Sequence, residues 1–270
     1  MTWHPTEITR YIEPRQSSTQ VVIVDTDAGI GYLKAMGNPE GEHALACDFV
    51  GTQLANWFGL RTFDQCIIYV DDVVPIQFLN GKFASPGPAL ISRAEDGGPW
   101  GGEKRQLKTL ANVDDVSKLV VFDTWILNRD RHSQNRVNRD NVFLSTETDS
   151  HRLDVLAMDH THCFGAKGEL SIRLAEIGNI RDSETYGLFP EFRECLDQDV
   201  VTASVKHLAT ITKETATEIV DRIPPEWDVS VDARNALVDL IVARATYVAE
   251  NIKLHLWRQR ELGFKDERQD

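Results

Sequence analysis

Short runs in which apolar and polar residues alternate fill the first ninety positions and predict β-strands. The run E-I-T-R-Y-I-E (7–13) alternates in this way, and Q-V-V-I-V-D-T (20–26) and G-Y-L-K-A-M (31–36) follow it across turn-forming residues. Two more apolar runs, C-I-I-Y-V (66–70) and P-A-L-I-S-R (88–93), are also typical of strands. The sequence therefore predicts a strand-rich N-terminal lobe.

One helix interrupts this strand pattern. Between the third and fourth predicted strands, Leu45, Phe49 and Leu54 fall at helical spacing. Gly59 follows where a glycine often ends a helix. We expect this helix to pack against the predicted sheet.

The pattern changes at E-D-G-G-P-W-G-G (95–102), where glycine and proline predict a linker. After it, D-D-V-S-K-L-V-V-F begins a predicted helix with acidic residues, and a last long helix is expected at about 230–262. The prediction is an α+β, bilobal chain. It has an N-lobe at 1–94, a Gly-rich hinge at 95–102 and a helical C-lobe at 103–270.

Charge and composition restrict the possible partners and location. The chain of 270 residues has 29 basic and 42 acidic side chains, a formal charge of −13, so nucleic-acid binding is not expected. Four widely spaced cysteines favour a reduced, cytoplasmic location, and the N-terminus has no signal-peptide pattern. The longest apolar runs are too short for a membrane span.

The loop N-R-D-R-H-S-Q-N (128–135) is the first candidate for chemistry. Asp130 can orient and deprotonate an attacking hydroxyl, and Asn135, five positions later, can coordinate a hard metal ion. This spacing also occurs by chance in solvated turns, so it needs support from elsewhere in the chain.

Two further residues supply that support. Asp159 ends an apolar run, L-D-V-L-A-M, where a strand could deliver a second metal ligand, although turns also favour Asp there. Lys34 lies within the third predicted strand, where it could neutralise phosphate, although most strand lysines point to water. Together with Asp130, these residues favour a phosphotransferase.

The order of these motifs resembles the HipA-like kinase family, which has a protein-kinase-like fold and relatives among phosphatidylinositol kinases. L-N-R-D-R-H-S-Q-N is very close to the family signature N-x-D-R-H-x-x-N. K-A-M-G-N-P-E-G-E-H-A-L-A and V-G-T-Q-L-A are similar to a short, single-chain branch of the family. The resemblance extends from about residue 7 to 165.

The resemblance implies a role for each candidate. Asp130 would be the catalytic base, Asn135 and Asp159 would bind Mg²⁺, and Lys34 would hold the phosphates of ATP. Asp159 begins D-H-T instead of the D-F-G of protein kinases. Asp48 would pair with Lys34, with a shorter side chain than the usual glutamate.

The resemblance also implies a cofactor loop and an acceptor. Ser17, Ser18 and Thr19, in the glycine-free loop P-R-Q-S-S-T, would cover the nucleotide phosphates, and backbone around 93–97 would hold adenine. The acceptor would be a hydroxyl, most simply of a protein, and residues 170–186 would shape its site. An antitoxin-like or regulatory partner cannot be deduced from the sequence.

Two other functions fit parts of the sequence. A metal-dependent hydrolase could use the cluster Asp159, His160, His162 and Cys163 to hold zinc. This alternative leaves Lys34 and the N-lobe unexplained. A kinase fold that binds nucleotide without transferring phosphate is the third possibility.

Overall fold

Five strands of the N-terminal lobe form one antiparallel sheet in the computed structural model, which describes residues 3–149, 152–165 and 169–262, apart from the side chains of 147–149 and 258–262. The strands are β1 (Ile8–Pro14), β2 (Val22–Thr26), β3 (Gly29–Lys34), β4 (Gln65–Val70) and β5 (Gly87–Arg93). Their spatial order is β1-β2-β3-β5-β4. The predicted strand-rich lobe is confirmed, and β3 begins earlier than predicted and ends at Lys34.

Helix α1 (Glu42–Trp57) is the only helix of this lobe among the described residues, and it is buried on nearly every side. Phe49 packs edge-to-face against Trp227 at a centroid distance of 6.2 Å. Leu45, Val50 and Leu54 belong to the same buried cluster as the C-terminal helices. A helix that is buried on nearly all faces is typical of a core position, so α1 joins the sheet to the rest of the molecule.

The Gly-rich segment forms a strand of its own. Within 95–102, β6 (Gly97–Pro99) pairs with β9 (Val142–Asp149), and β9 pairs in turn with β10 (Arg152–Ala157). Between these elements, β7 (His132–Ser133) and β8 (Arg136–Val137) form a small hairpin. The segment between the lobes is therefore fixed to the C-terminal lobe by backbone hydrogen bonds.

The C-terminal lobe is helical, as predicted, and most side chains of α3 (Asp114–Trp125) are buried. Among the described residues no helix combines the length and the apolar character that crossing a bilayer requires. The α-helices of this lobe are α2 (Lys104–Leu107), α3 (Asp114–Trp125), α4 (Ile177–Ile180), α5 (Gln198–Leu208), α6 (Lys213–Val220) and α7 (Val231–Leu262).

Replacing Gly97 with Ala should destabilise the protein. A Cβ at Gly97 would lie 2.2 Å from the carbonyl oxygen of Leu144, and the backbone φ of +145° is rarely adopted by other residues. We expect the free energy of unfolding to fall by roughly 1–3 kcal/mol, the usual cost of such backbone strain. Chemical denaturation measures the change.

Gly98→Ala is the matched control, because Gly98 is the next residue of β6 and a Cβ there meets nothing within 4 Å. It should change stability little. Equal losses in the two variants would contradict the account of Gly97.

Candidate active site

Lys34, the last residue of β3, lies at the centre of a buried ion cluster. Its Nζ is 2.8 Å from Asp48 Oδ2 and 3.1 Å from Asp159 Oδ1, and its side chain is only 15% exposed. Burial alone would lower the pKa of Lys34, but the two carboxylates outweigh it and raise the pKa above its usual value. The lysine is therefore fully charged at neutral pH and does not point to water.

Asp159 follows β10 at the point where the chain turns. Its backbone φ of +54° is left-handed, an uncommon conformation for a residue other than glycine. Besides Lys34, Thr161 donates a hydrogen bond to Asp159 Oδ1 at 2.7 Å. Burial would raise the pKa of Asp159, but Lys34 and these hydrogen bonds lower it below the usual range, so the carboxylate stays ionised.

Asp48 reaches Lys34 from α1 despite its short side chain. Its Oδ2 accepts from Lys34, while its Oδ1 accepts from the backbone N–H of His160 at 2.9 Å. The helix comes this close because Gly51 has no side chain, since a Cβ there would lie 2.3 Å from His160 Cβ. One carboxylate thus connects α1, β3 and the segment after β10.

Asp130 lies in the loop after α3 and is held by amide groups. Its Oδ2 accepts from Asn141 Nδ2 at 2.8 Å and from Asn138 Nδ2 at 3.2 Å. Its Oδ1 lies 2.5 Å from Arg136 Nε. The carboxylate is 14% exposed and lines a polar cleft, so its position is fixed while it remains open to a ligand.

The structure does not bring Asn135 to this group. Asn135 is exposed at the turn between β7 and β8, and it does not line the cleft beside Asp130. The hairpin carries the chain outward and returns it, so Asn138 and Asn141 are the amides beside Asp130. The structure therefore places Asn141, immediately before β9, beside Asp130 and in the cleft, and it does not place Asn135 there.

A buried ion pair fixes the loop against the segment that ends in Asp159. Arg131 Nε is 2.7 Å from Asp123 Oδ2, and both side chains have zero exposure. The same guanidinium donates to the carbonyl oxygen of Met158 at 2.8 Å. Because Arg131 follows Asp130 and Met158 precedes Asp159, this contact sets the two carboxylates relative to each other.

Two cavities meet at Asp159. The first, of 310 Å³, lies between the lobes and includes apolar side chains such as Tyr32, Leu90 and Phe143. The second is a polar cleft of 680 Å³ lined by Asp130 and Asn141. Gln16, Ser17 and Asp159 border both. An apolar chamber thus opens into a cleft rich in carboxylate and amide groups.

The loop of Ser17, Ser18 and Thr19 lies over the junction of these cavities. Ser17 Oγ accepts from the backbone N–H of Val21 at 2.8 Å, which closes the loop as a tight turn. Thr19 is buried and borders the apolar cavity, while Ser18 is exposed and borders the polar cleft. Residues 93–97, expected to hold adenine, do not line the apolar cavity, where Ser92 and Pro99 lie instead.

The four proposed zinc ligands face different surroundings. His160 is fully buried, with Nδ1 at 3.3 Å from Thr52 Oγ1, and burial lowers its pKa to about 3. Cys163 Sγ points to the carbonyl oxygen of Cys47 at 3.5 Å. Within the described part of the chain, no group of three or more His, Cys, Asp or Glu residues could hold a metal ion by itself. The geometry does not support a zinc hydrolase site.

Sequence reasoning missed Asn138, Asn141 and Arg136. One signal was available for Asn141, because it directly precedes the apolar run V-F-L that becomes β9, just as Met158 and Asp159 directly follow β10. Residues at the neighbouring ends of two paired strands lie close together. The hairpin of β7 and β8 lies between Asp130 and Asn141, and the spacing of residues along the chain does not reveal it.

Comparison with known proteins agrees with this arrangement. The family model for the HipA-like kinase matches residues 6–260. The crystal structure of a Helicobacter pylori proinflammatory kinase, CtkA, matches with a TM-score of 0.58 at 11% sequence identity, covering 94% of this chain and 99% of that one. The match to the Mycobacterium tuberculosis PknI kinase domain covers 94% of this chain and 98% of that one at 16% identity, with a TM-score of only 0.26. No curated protein matches the chain.

The similarity to CtkA confirms the expected kinase-like fold, with a strand-rich N-lobe and a helical C-lobe. The family match extends over nearly the whole chain, beyond the stretch in which motifs were recognised. The chain therefore belongs to the HipA-like kinase family.

Proposed function

We propose that this kinase uses ATP and Mg²⁺ to phosphorylate a hydroxyl group, most simply of a protein serine or threonine. The observation that carries the proposal is the meeting of two groups in one cleft. The cluster of Lys34, Asp48 and Asp159 reaches it from one side, and Asp130 with Asn141 from the other. The first group also lines an apolar cavity that can accept a purine, and Asp159 borders both this cavity and the cleft.

Lys34 is suited to hold phosphate oxygens of the nucleotide. Its ammonium group is pre-positioned by two carboxylates and lines the apolar cavity near its junction with the cleft. A lysine in this role acts as a point charge. The turn of Ser17, Ser18 and Thr19 borders the same junction, so it would cover the phosphates on the side of the N-lobe.

Asp159 and Asn141 are the groups that would hold Mg²⁺. Magnesium prefers carboxylate and amide oxygens, and both residues line the polar cleft. Asn141 donates its N–H to Asp130, so the oxygen end of its amide faces away from that carboxylate. The ion would neutralise charge on the phosphate being transferred.

Asp130 would act as the base. Amide groups of Asn138 and Asn141 hold its carboxylate, and Arg136 pairs with its second oxygen. In this position it can orient the acceptor hydroxyl and take its proton as the phosphate is transferred. Residues 170–186 would shape the acceptor site.

Asp130→Asn tests this function. The variant should keep nucleotide affinity, because Lys34 and the apolar cavity are unchanged, and should lose phosphate transfer by ~10²–10⁴-fold. Titration calorimetry with ATP and Mg²⁺, together with transfer of labelled γ-phosphate, measures the two quantities. Full transfer by the variant would contradict the role of Asp130. A wild-type protein that binds ATP but transfers nothing would instead be a nucleotide-binding module.

A second pair of variants tests the metal site. Asn141→Ala should raise the Mg²⁺ concentration needed for half-maximal transfer by roughly 10–100-fold, the usual effect of disturbing a group that supports a metal ion. Asn135→Ala is the matched control, because it removes the same amide from the exposed turn of the hairpin. Transfer rate against Mg²⁺ concentration distinguishes them. Loss of Mg²⁺ response in Asn135→Ala alone would restore the assignment made from sequence spacing.

A further inference from the structure

Asp182 gathers an unusual number of contacts for a residue in the segment 170–186. Its Oδ2 accepts from Arg129 Nη2 at 2.8 Å and from the Tyr186 hydroxyl at 2.9 Å. Its Oδ1 accepts from the backbone N–H of Glu184 at 2.9 Å. The side chain is only 16% exposed, although the segment lies at the surface.

Arg129 connects this carboxylate to the catalytic loop, since it directly precedes Asp130. Besides Asp182, its Nε donates to the Tyr186 hydroxyl at 3.2 Å. The guanidinium also lies 5.9 Å from the centre of the Tyr186 ring. Arg129 itself lines the polar cleft, so a shift of its side chain would change the surroundings of Asp130.

The backbone of Asp182 is held by a second arginine, Arg244. Arg244 of α7 is fully buried and donates Nη1 to the carbonyl oxygen of Asp182 at 3.0 Å. The same side chain donates to the carbonyls of Asn179 and Thr124. Burial lowers the pKa of Arg244 to about 10, so it remains charged at neutral pH. Asp182 is therefore held by two arginines from two different elements.

In many kinases a segment in this position becomes ordered when a phosphorylated residue pairs with an arginine. Here the carboxylate of Asp182 already supplies a negative charge to the arginine next to Asp130. We propose that Asp182 is a positioning residue that orders the acceptor segment and the catalytic loop through Arg129, without phosphorylation of the segment. This inference rests on the proposed function of Asp130.

The charge state of Asp182 fits this role. Burial would raise its pKa, but the hydrogen bonds from Glu184, Tyr186 and Arg129 lower it below the usual value. A group with a lowered pKa contributes its stabilisation above its unfolded pKa and loses it only as the pH falls through the folded value. The contact with Arg129 is therefore intact throughout the neutral range.

Three variants of the whole chain test the proposal. Asp182→Asn keeps the shape and removes the charge, and Asp182→Glu restores the charge. Glu176→Gln is the matched control, since it removes an exposed carboxylate from the same segment. Each variant and the wild type are first treated with a phosphatase, and mass spectrometry checks that no phosphate remains on the chain. The release of labelled phosphate from ATP is then measured with Mg²⁺, with water as the acceptor. Hydrogen exchange at residues 128–131 and 170–186 is measured in parallel.

We expect Asp182→Asn to lower kcat roughly 10- to 100-fold, as a small displacement of catalytic groups does, with an unchanged KM for ATP. Its hydrogen exchange should rise in both segments. Asp182→Glu should recover part of the rate, and Glu176→Gln should match the wild type. The dephosphorylated wild type should remain active.

Two results would overturn the inference. One is an Asp182→Asn variant with wild-type kcat and exchange, and the other is a wild type that releases phosphate only when residues 170–186 are phosphorylated. If the wild type neither releases phosphate to water nor transfers it to any acceptor in a cell lysate or lipid extract, the proposed function fails. In that case exchange at 128–131 still decides whether Asp182 orders the catalytic loop.

Discussion

The position of the Lys34 ammonium group between Asp48 and Asp159 is the contact on which the rest of the site depends. It joins the end of β3 to the middle of α1 and to the second residue after β10, at distances of 2.8 and 3.1 Å. Buried charges are stable only when they are paired and hydrogen-bonded, so these elements must meet in one arrangement. The cluster has two carboxylates and one ammonium, which leaves an excess negative charge. A divalent cation is attracted to such a cleft, and the phosphates of a nucleotide would follow it.

The remaining packing keeps this arrangement in place. Helix α1 shares its core with the C-terminal helices, and Gly51 lets it approach His160 closely enough for Asp48 to reach the backbone there. On the other side, Arg131 is held by Asp123 and reaches the carbonyl before Asp159. The loop that carries Asp130 and the segment that ends in Asp159 are therefore connected by a buried contact as well as by the paired strands between them. Geometry of this kind reduces the reorganisation needed when substrate binds.

Much of this could be predicted from the sequence, and the failures have identifiable causes. Strand periodicity located β3 and so placed Lys34 within a strand, although β3 ends at Lys34 itself. The apolar run before Asp159 placed that carboxylate at the end of another strand. Spacing along the chain does not show that residues 132–137 fold outward as a hairpin, so it did not indicate that Asn138 and Asn141 lie beside Asp130. The Gly-rich segment was predicted as a linker, whereas Gly97 allows β6 to pair closely with β9. Contacts of Asp182 with Arg129 and Arg244 join distant parts of the chain, and no local pattern indicates them.

The most direct test of the central claim is whether the purified chain moves the γ-phosphate of ATP onto a hydroxyl. The protein is incubated with labelled ATP, with and without Mg²⁺, together with a cell lysate or a lipid extract. We expect label to leave ATP only when Mg²⁺ is present and to become attached to a protein acceptor. Nucleotide binding by the folded protein without any Mg²⁺-dependent transfer of label, in every mixture, would contradict it.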